Sequence, residues 1–146
     1  DFNSPDAGVS VINEIGYRVQ PSSKSKKQWL RFGAVYNSSE FSQFDDPRKT
    51  DDNFGFYTIV DQQISQPDSL LPFRGWYVRG SADYSSPKVN GIAGDGGLTF
   101  YNVGPFSSRP EDLFAVAATK MLISKDMVNS LGRTHLVYCY MNKGSC

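Results

Sequence analysis

The chain has 146 residues, and its 15 lysines and arginines balance its 15 aspartates and glutamates, so the formal net charge is zero and the isoelectric point is about 6.8. This balance argues against a nucleic-acid-binding protein, which needs an excess of basic residues to displace counterions from phosphates, and against electrostatic attachment to anionic membranes. The apolar stretches reach about ten residues, far short of the roughly 20 that a membrane-spanning helix needs. No membrane insertion is therefore expected.

Short apolar and aromatic runs, separated by Gly, Pro, Asn, Asp and Ser, recur along the whole chain. Runs of strand length with such boundaries are typical of all-β domains. We predict an all-β fold, specifically a β-sandwich or jelly-roll-like single domain over residues 1–146 with at most one short helix. The predicted strand segments are Val9–Val19, Gln28–Tyr36, Phe54–Ile64, Leu70–Arg79, Leu98–Val103, Leu113–Ile123 and Thr134–Met141.

Two segments near the end of the chain are less regular. Leu113–Ile123 has a composition that suits a helix or a strand, and a buried strand is favoured in a chain otherwise made of strands. Asp126–Leu131 is the expected short helix, stopped by Gly132. The side chains expected in the core are Trp29, Phe32, Val35, Phe56, Ile59, Trp76, Val78, Phe100, Val116 and Val137.

Two long polar segments, Asn37–Asn53 and Ser81–Gly97, are predicted to be loops, and they carry aromatic and charged residues. Such aromatics either anchor the loops on the sandwich or form a contact surface, since aromatic side chains dominate interfaces. The aspartates of the first segment lack the spacing of an EF-hand and are expected to pair with neighbouring basic residues. The candidate binding residues are Phe41, Phe44, Tyr84, Lys88, Asn90 and Asp95.

No constellation for catalysis or metal binding is recognisable. His135 is the only histidine, no Gly-x-Ser-x-Gly elbow nominates a nucleophile, and two cysteines with one histidine lack zinc spacing. We therefore expect no enzymatic activity, no metal and no cofactor. Cys139 is expected to be a buried free thiol, although a Cys139–Cys146 bridge is open if the protein is extracellular. Asn37 begins a glycosylation sequon that matters only in a secretory pathway.

The neutral, aromatic-rich β domain with loops such as Tyr84–Gly97 and Asn37–Asn53, and with the last strand Thr134–Met141 near the chain end, resembles the protruding, or spike, domains of small RNA-virus capsid proteins of the nodavirus-like group. The polar start at Asp1 fits a domain excised from a larger chain. The resemblance implies a jelly-roll or sandwich fold on the virion surface, assembly into a dimer or trimer, and attachment to a host-cell receptor or glycan.

Two other functions remain open on the sequence. A carbohydrate-binding, lectin-like β-sandwich, which would be secreted, is the alternative. A hydrolase on a β scaffold is the third, because paired acidic residues are available for glycoside chemistry. The expectation is therefore a non-enzymatic attachment or assembly module.

Overall fold

A computed structural model describes residues 8–132, which form antiparallel strands followed by one short helix. The element bounds are β1 Ser10–Val19, β2 Gln28–Ser42, β3 Thr50–Gln63, β4 Gly75–Ser85, β5 Ile92–Val103, β6 Leu113–Ile123 and α1 Lys125–Ser130. The prediction of an all-β chain with one short helix is confirmed. No helix among the described residues is both long enough and apolar enough to cross a membrane.

The strands form one sheet in which each pairs with its neighbour in sequence, in the order β1-β2-β3-β4-β5-β6. The register is continuous along most of the sheet, with irregularities between Asn37 and Phe41 in β2 and between Ile92 and Gly94 in β5. Within the described residues no second sheet packs on this one. The predicted sandwich or jelly roll is therefore wrong, and the architecture is an open, single-layer meander.

The segment that could have been helix or strand, Leu113–Ile123, is strand β6. The predicted helix begins one residue earlier than expected, at Lys125, and its N-cap Ser124 accepts a hydrogen bond from the backbone N–H of Met127 at 3.3 Å. The last predicted strand, Thr134–Met141, lies outside the described residues, as do His135 and both cysteines.

The two predicted loops are mostly strand. β2 continues to Ser42 and β3 starts at Thr50, so only residues 43–49 connect them, and residues 86–91 alone connect β4 to β5. Polar residues that are depleted in strands generally occupy these strand ends. They are accepted because the ladder pairs their backbone groups, as Asn37 pairs with Asn53 in register.

Large apolar side chains on one face of the sheet remain exposed, and this overturns much of the predicted core. Five of the side chains expected to be buried are between 37% and 60% exposed: Phe32, Phe56, Trp76, Phe100 and Val116. Trp29, Val35, Ile59 and Val78 are partly buried, and Val137 lies outside the described residues. The buried hydrophobic residues in the described part are Tyr77 and Tyr101. The expectation failed because a single layer has no opposing sheet to cover its apolar face.

Candidate functional site

The sheet has one predominantly apolar and one predominantly polar face. Side chains alternate between faces along each strand, and residues opposite each other in the ladder share a face. From the register, Leu30 pairs with Val60, and Val60 pairs with Gly80, which in turn pairs with Leu98. The apolar face carries Val11, Ile15, Tyr17, Leu30, Phe32, Tyr36, Phe54, Phe56, Val60, Trp76, Tyr84, Leu98, Phe100, Phe114, Val116 and Leu122, all more than a third exposed.

Two pairs of aromatic rings on the apolar face lie near the two ends of the strands. We call one end the short-turn end, which carries connections 43–49 and 86–91, and the other the long-turn end, which carries connections 20–27, 64–74 and 104–112. Phe54 and Tyr84 approach within 6.2 Å, measured between ring centroids, near the short-turn end. Trp76 and Phe100 stack at 4.6 Å near the long-turn end.

On the polar face, Asp61 is the centre of the most heavily bonded cluster. Its side chain is 1% exposed and accepts hydrogen bonds from Arg79 at 2.7 Å, Tyr101 at 2.6 Å and Lys27 at 3.1 Å. Tyr77 stacks on Tyr101 with ring centroids 4.8 Å apart. The sheet register explains the grouping, because Asp61 lies opposite Arg79, and Tyr77 lies opposite Tyr101.

Gln63, fully buried, ties this cluster to the connection 64–74. Its side-chain amide donates to the carbonyl oxygens of Pro72 and Arg74, both at 2.9 Å, and its Oε1 accepts from the backbone N–H of Lys27 at 2.9 Å. A buried amide with all of these bonds made is stable in place, whereas one left unpaired would be costly. The backbone of Lys27 is thereby fixed beside Asp61.

Two further arginines lie over one tryptophan on the same face. The guanidinium carbon of Arg31 lies 4.2 Å from the ring centroid of Trp29, and that of Arg18 lies 5.0 Å away. Arg18 is opposite Trp29 in the register, while Arg31 is two residues further along β2. Cations over an aromatic face attract its electron-rich surface, so Trp29 holds both guanidinium groups on the polar face.

Tyr57 lies across Gly33 and reaches Glu14. Gly33 is opposite Tyr57 in β3 and opposite Glu14 in β1, and the phenol donates a hydrogen bond of 2.5 Å to the Glu14 carboxylate. A Cβ on Gly33 would overlap the Tyr57 ring. Glycine is therefore required here for the close approach of the ring.

A recess of about 270 Å³ lies on the polar face near the short-turn end. Its polar lining includes Asn37, Asn53, Tyr57, Asp83, Ser85 and Asn90. Asn53 and Asn90 exchange side-chain amide hydrogen bonds of 3.1 and 2.8 Å, which hold connection 86–91 against β3. The recess therefore presents amide, hydroxyl and carboxylate groups in one place.

Connections at each end of the sheet are hydrogen-bonded to one another. At the short-turn end, the backbone N–H of Phe44 donates to the Lys88 carbonyl at 3.0 Å, and that of Ser124 donates to the Gly91 carbonyl at 2.9 Å. Connections 43–49 and 86–91 and the start of α1 are thus linked in one rim.

At the long-turn end, the Arg74 guanidinium joins two connections. It donates to the Gly104 carbonyl at 2.9 and 3.1 Å and to the Asp68 carboxylate at 3.2 Å. Gly104 adopts a positive φ of 65°, and its neighbour in space is the Arg74 side chain. The backbone amides of Leu70 and Leu71, together with Arg74, hold the pKa of the Asp68 carboxyl below its usual value.

The six sequence-predicted binding residues are spread over different surfaces, and their role stays a prediction. Phe41 is in the irregular part of β2, Phe44 is in connection 43–49, and the Lys88 ammonium pairs with Asp51 at 3.4 Å. Asn90 lines the recess, while Asp95 is opposite Met121 in the register and lies just beyond the last pair of β4 with β5, Ala82 with Gly96. The Tyr84 ring lies on the apolar face, 45% exposed.

The sequence reading missed the cluster around Asp61. Along the chain, Lys27 lies 34 residues from Asp61, Arg79 lies 18 residues from it and Tyr101 lies 40 residues from it. Only the strand register brings them together. The available signal was a carboxylate in the middle of an apolar strand, which requires a partner when buried. Among residues 8–132 no three His, Cys, Asp or Glu side chains are grouped to hold a metal ion.

Comparison with known proteins identifies a different family from the one the sequence suggested. The family model described as "Carbohydrate-selective porin, OprB family" matches residues 2–137. The fold is similar to that of OprB from Pseudomonas putida, in a structure determined at high pH, with a TM-score of 0.74 and 14% sequence identity over 84% of this chain. The chain spans 32% of that protein. No curated protein sequence matches the chain significantly.

These matches overturn the viral interpretation. The resemblance to a capsid spike domain is wrong, as are the virion-surface or secreted location, the host-cell receptor, assembly on a virion and the function in attachment. The expected lack of membrane insertion is wrong as well, because porins are membrane proteins. The alternative based on carbohydrate binding was nearer. The matched family is one of channels rather than enzymes.

Proposed function

Because the chain belongs to the OprB family of carbohydrate-selective porins, we propose that it forms part of the wall of a bacterial outer-membrane channel that passes carbohydrates. The apolar face contacts lipid and the polar face lines the aqueous path. The chain acts by lining that path and has no catalytic activity.

The observation that carries this proposal is the concentration of large exposed apolar side chains on one face of a single-layer sheet, opposite the polar clusters of the other face. Ile12, Leu113 and Met121 are exposed apolar exceptions on the polar face. Exposed apolar patches larger than a few hundred Å² are rare on soluble monomers, whereas this sheet exposes large side chains across all six strands. A transmembrane strand alternates apolar-out and polar-in over about ten residues, and the strands here have 10 to 15. The apolar face is therefore suited to contact with the lipid of a membrane.

The aromatic rings near both ends fit the same arrangement. On β4, Trp76 and Tyr84 share the apolar face eight residues apart, which is about 27 Å along a strand. With a strand tilt of roughly 40°, this separates the rings by about 20 Å across the membrane, close to the roughly 25 Å apolar band of such proteins. Aromatic girdles lie at both edges of that band.

The recess supplies chemistry for carbohydrate contact. Asn37, Asn53 and Asn90 present amide donors and acceptors, and Asp83 presents a carboxylate. Neighbouring sugar hydroxyls are at once donors and acceptors, and amides and carboxylates can satisfy both roles. A recess on the channel wall can therefore exchange hydrogen bonds with a passing sugar without holding it tightly, as conduction requires.

Sugar uptake by liposomes tests the proposal. The full-length protein is reconstituted in vesicles, and swelling is measured in isotonic solutions of a neutral monosaccharide. We expect uptake that needs the protein, and slower uptake when Asp83→Asn and Asn37→Ala are combined. Asp112→Asn, which removes a carboxylate of the Arg109 ion pair in connection 104–112, is the matched control and should leave uptake unchanged. Protein-containing vesicles that swell no faster than empty ones would refute the channel.

A further inference from the structure

Asp61 is placed to control how much positive charge the polar face presents. Its side chain is 1% exposed, while its two cationic partners remain open to solvent, Lys27 at 21% and Arg79 at 45%. A solute moving along this face therefore meets the two cations and not the carboxylate that partly neutralises them. The cluster of three charged groups has a net charge of about +1 at neutral pH.

Aromatic rings fix the two cations in position. The Lys27 ammonium lies 5.5 Å from the ring centroid of Tyr77, and the Arg79 guanidinium carbon lies 6.0 Å from that of Tyr101. Tyr101 also donates to the second carboxylate oxygen of Asp61. Both carboxylate oxygens are used, so the carboxylate cannot turn toward the solvent without breaking these bonds.

We propose that Asp61 is a positioning residue that sets the balance between anions and cations on this part of the channel wall, by holding Lys27 and Arg79 at the surface while cancelling one of their charges. The inference rests on the proposed channel function. It concerns the small inorganic ions and charged solutes that share the path with sugars. Rings of basic side chains favour the passage of anions through pores, so a change of one unit charge changes the balance between anions and cations.

Four proteins test the proposal in planar bilayers: the full-length wild type, Asp61→Asn, Arg79→Gln and the double variant. Reversal potentials in a KCl gradient give the permeability ratio of Cl⁻ to K⁺. The cluster charge becomes about +2 in Asp61→Asn, about 0 in Arg79→Gln and about +1 again in the double variant. One unit charge acting across about 8 Å of water changes an ion's local concentration by roughly twofold.

One added positive charge raises the local concentration of Cl⁻ and lowers that of K⁺, each by about twofold, so their ratio changes by about fourfold. We therefore expect the Cl⁻ to K⁺ ratio to rise about fourfold in Asp61→Asn, to fall about fourfold in Arg79→Gln, and to return to the wild-type value in the double variant. If Asp61 had only a structural role, the Cl⁻ to K⁺ ratio of the double variant would be no closer to the wild-type value than the ratio of Asp61→Asn. If Asp61→Asn alone does not fold, the double variant is compared with Arg79→Gln, because these two proteins differ only at Asp61. Loss of the carboxylate should then raise the Cl⁻ to K⁺ ratio about fourfold, and an unchanged ratio would refute the role of Asp61. Asp112→Asn is the control for loss of an ion-paired carboxylate away from the wall.

The outcomes separate this inference from the proposed function. Wild-type protein without conductance would refute the channel itself. A conducting wild type whose ion selectivity is the same in all four proteins would refute only the role of Asp61.

Discussion

Gly80 offers a direct test of which medium covers the apolar face. It lies midway between Trp76 and Tyr84 on β4, four residues from each, and faces the same side as its ladder partners Val60 and Leu98. Four residues correspond to about 13 Å along the strand, or roughly 10 Å of depth for a strand tilted by about 40°. A Cβ at Gly80 would have no heavy atom within 4 Å, so a long side chain there meets the surrounding medium and not the protein.

We expect Gly80→Arg to lower the free energy of unfolding by about 2–4 kcal/mol relative to Gly80→Ala, the cost of arginine at the midplane of a lipid-facing strand. This is roughly a 30- to 700-fold change in the folding equilibrium. The adjacent Ser81 faces the polar side, and Ser81→Arg against Ser81→Ala should differ by no more than about 0.5 kcal/mol, as at an exposed aqueous surface.

The measurement is guanidinium unfolding of the full-length protein in phospholipid vesicles, followed by tryptophan fluorescence. The alanine variants remove the backbone and propensity effects of replacing glycine and serine. If arginine costs the same at both positions, water and not lipid covers the apolar face, and the reasoning fails.

Three further predictions concern local contacts. Gly33→Ala should cost about 1–3 kcal/mol because the new methyl group overlaps the Tyr57 ring, and a double-mutant cycle should show that Tyr57→Ala removes most of that cost. Arg74→Ala should speed amide hydrogen exchange in connections 64–74 and 104–112, since the bonds to the Gly104 carbonyl are lost; unchanged exchange would contradict the link. The pKa of Asp68 is lowered, so its stabilisation of connection 64–74 is present above its unfolded pKa of about 3.9 and is lost as pH falls through the lower folded value. Exchange in this connection should therefore differ between wild type and Asp68→Asn at about pH 6, and the difference should shrink as the pH is lowered below about 3.9.

The strand pattern was readable from the sequence, but the medium on each face was not. Runs such as Val9–Val19 and Leu113–Ile123 matched β1 and β6 within one residue. Alternation is visible in strands such as β3 and β4, whereas β6 has exposed apolar side chains on both faces. The alternating pattern is the same whether a second sheet or lipid covers the apolar face. The distinguishing feature is a pair of aromatic residues near both ends of one strand face, as in Trp76 and Tyr84. It was missed because Tyr84 falls in the predicted loop Ser81–Gly97, whereas β4 continues to Ser85.

The polar clusters could be predicted still less well. Asp61 gains its partners from three other parts of the sequence, and a shift of one residue in register would move its side chain to the opposite face. The reach of Tyr57 over Gly33 depends in the same way on the pairing of β2 with β3. Composition and local spacing carry no information on such alignments across strands.

The nearest-neighbour pairing of the strands has a consequence for how the width of a pore can change. Among residues 8–132, the strands are hydrogen-bonded in the order of the sequence, each to the strand before or after it, so a hairpin can be added or removed while the other pairs keep their partners. Each added hairpin widens the sheet by two strand spacings, about 10 Å. Insertion or loss of a β-hairpin is therefore a simple route by which a sheet of this kind acquires channels of different diameter, while strand length continues to match the same membrane.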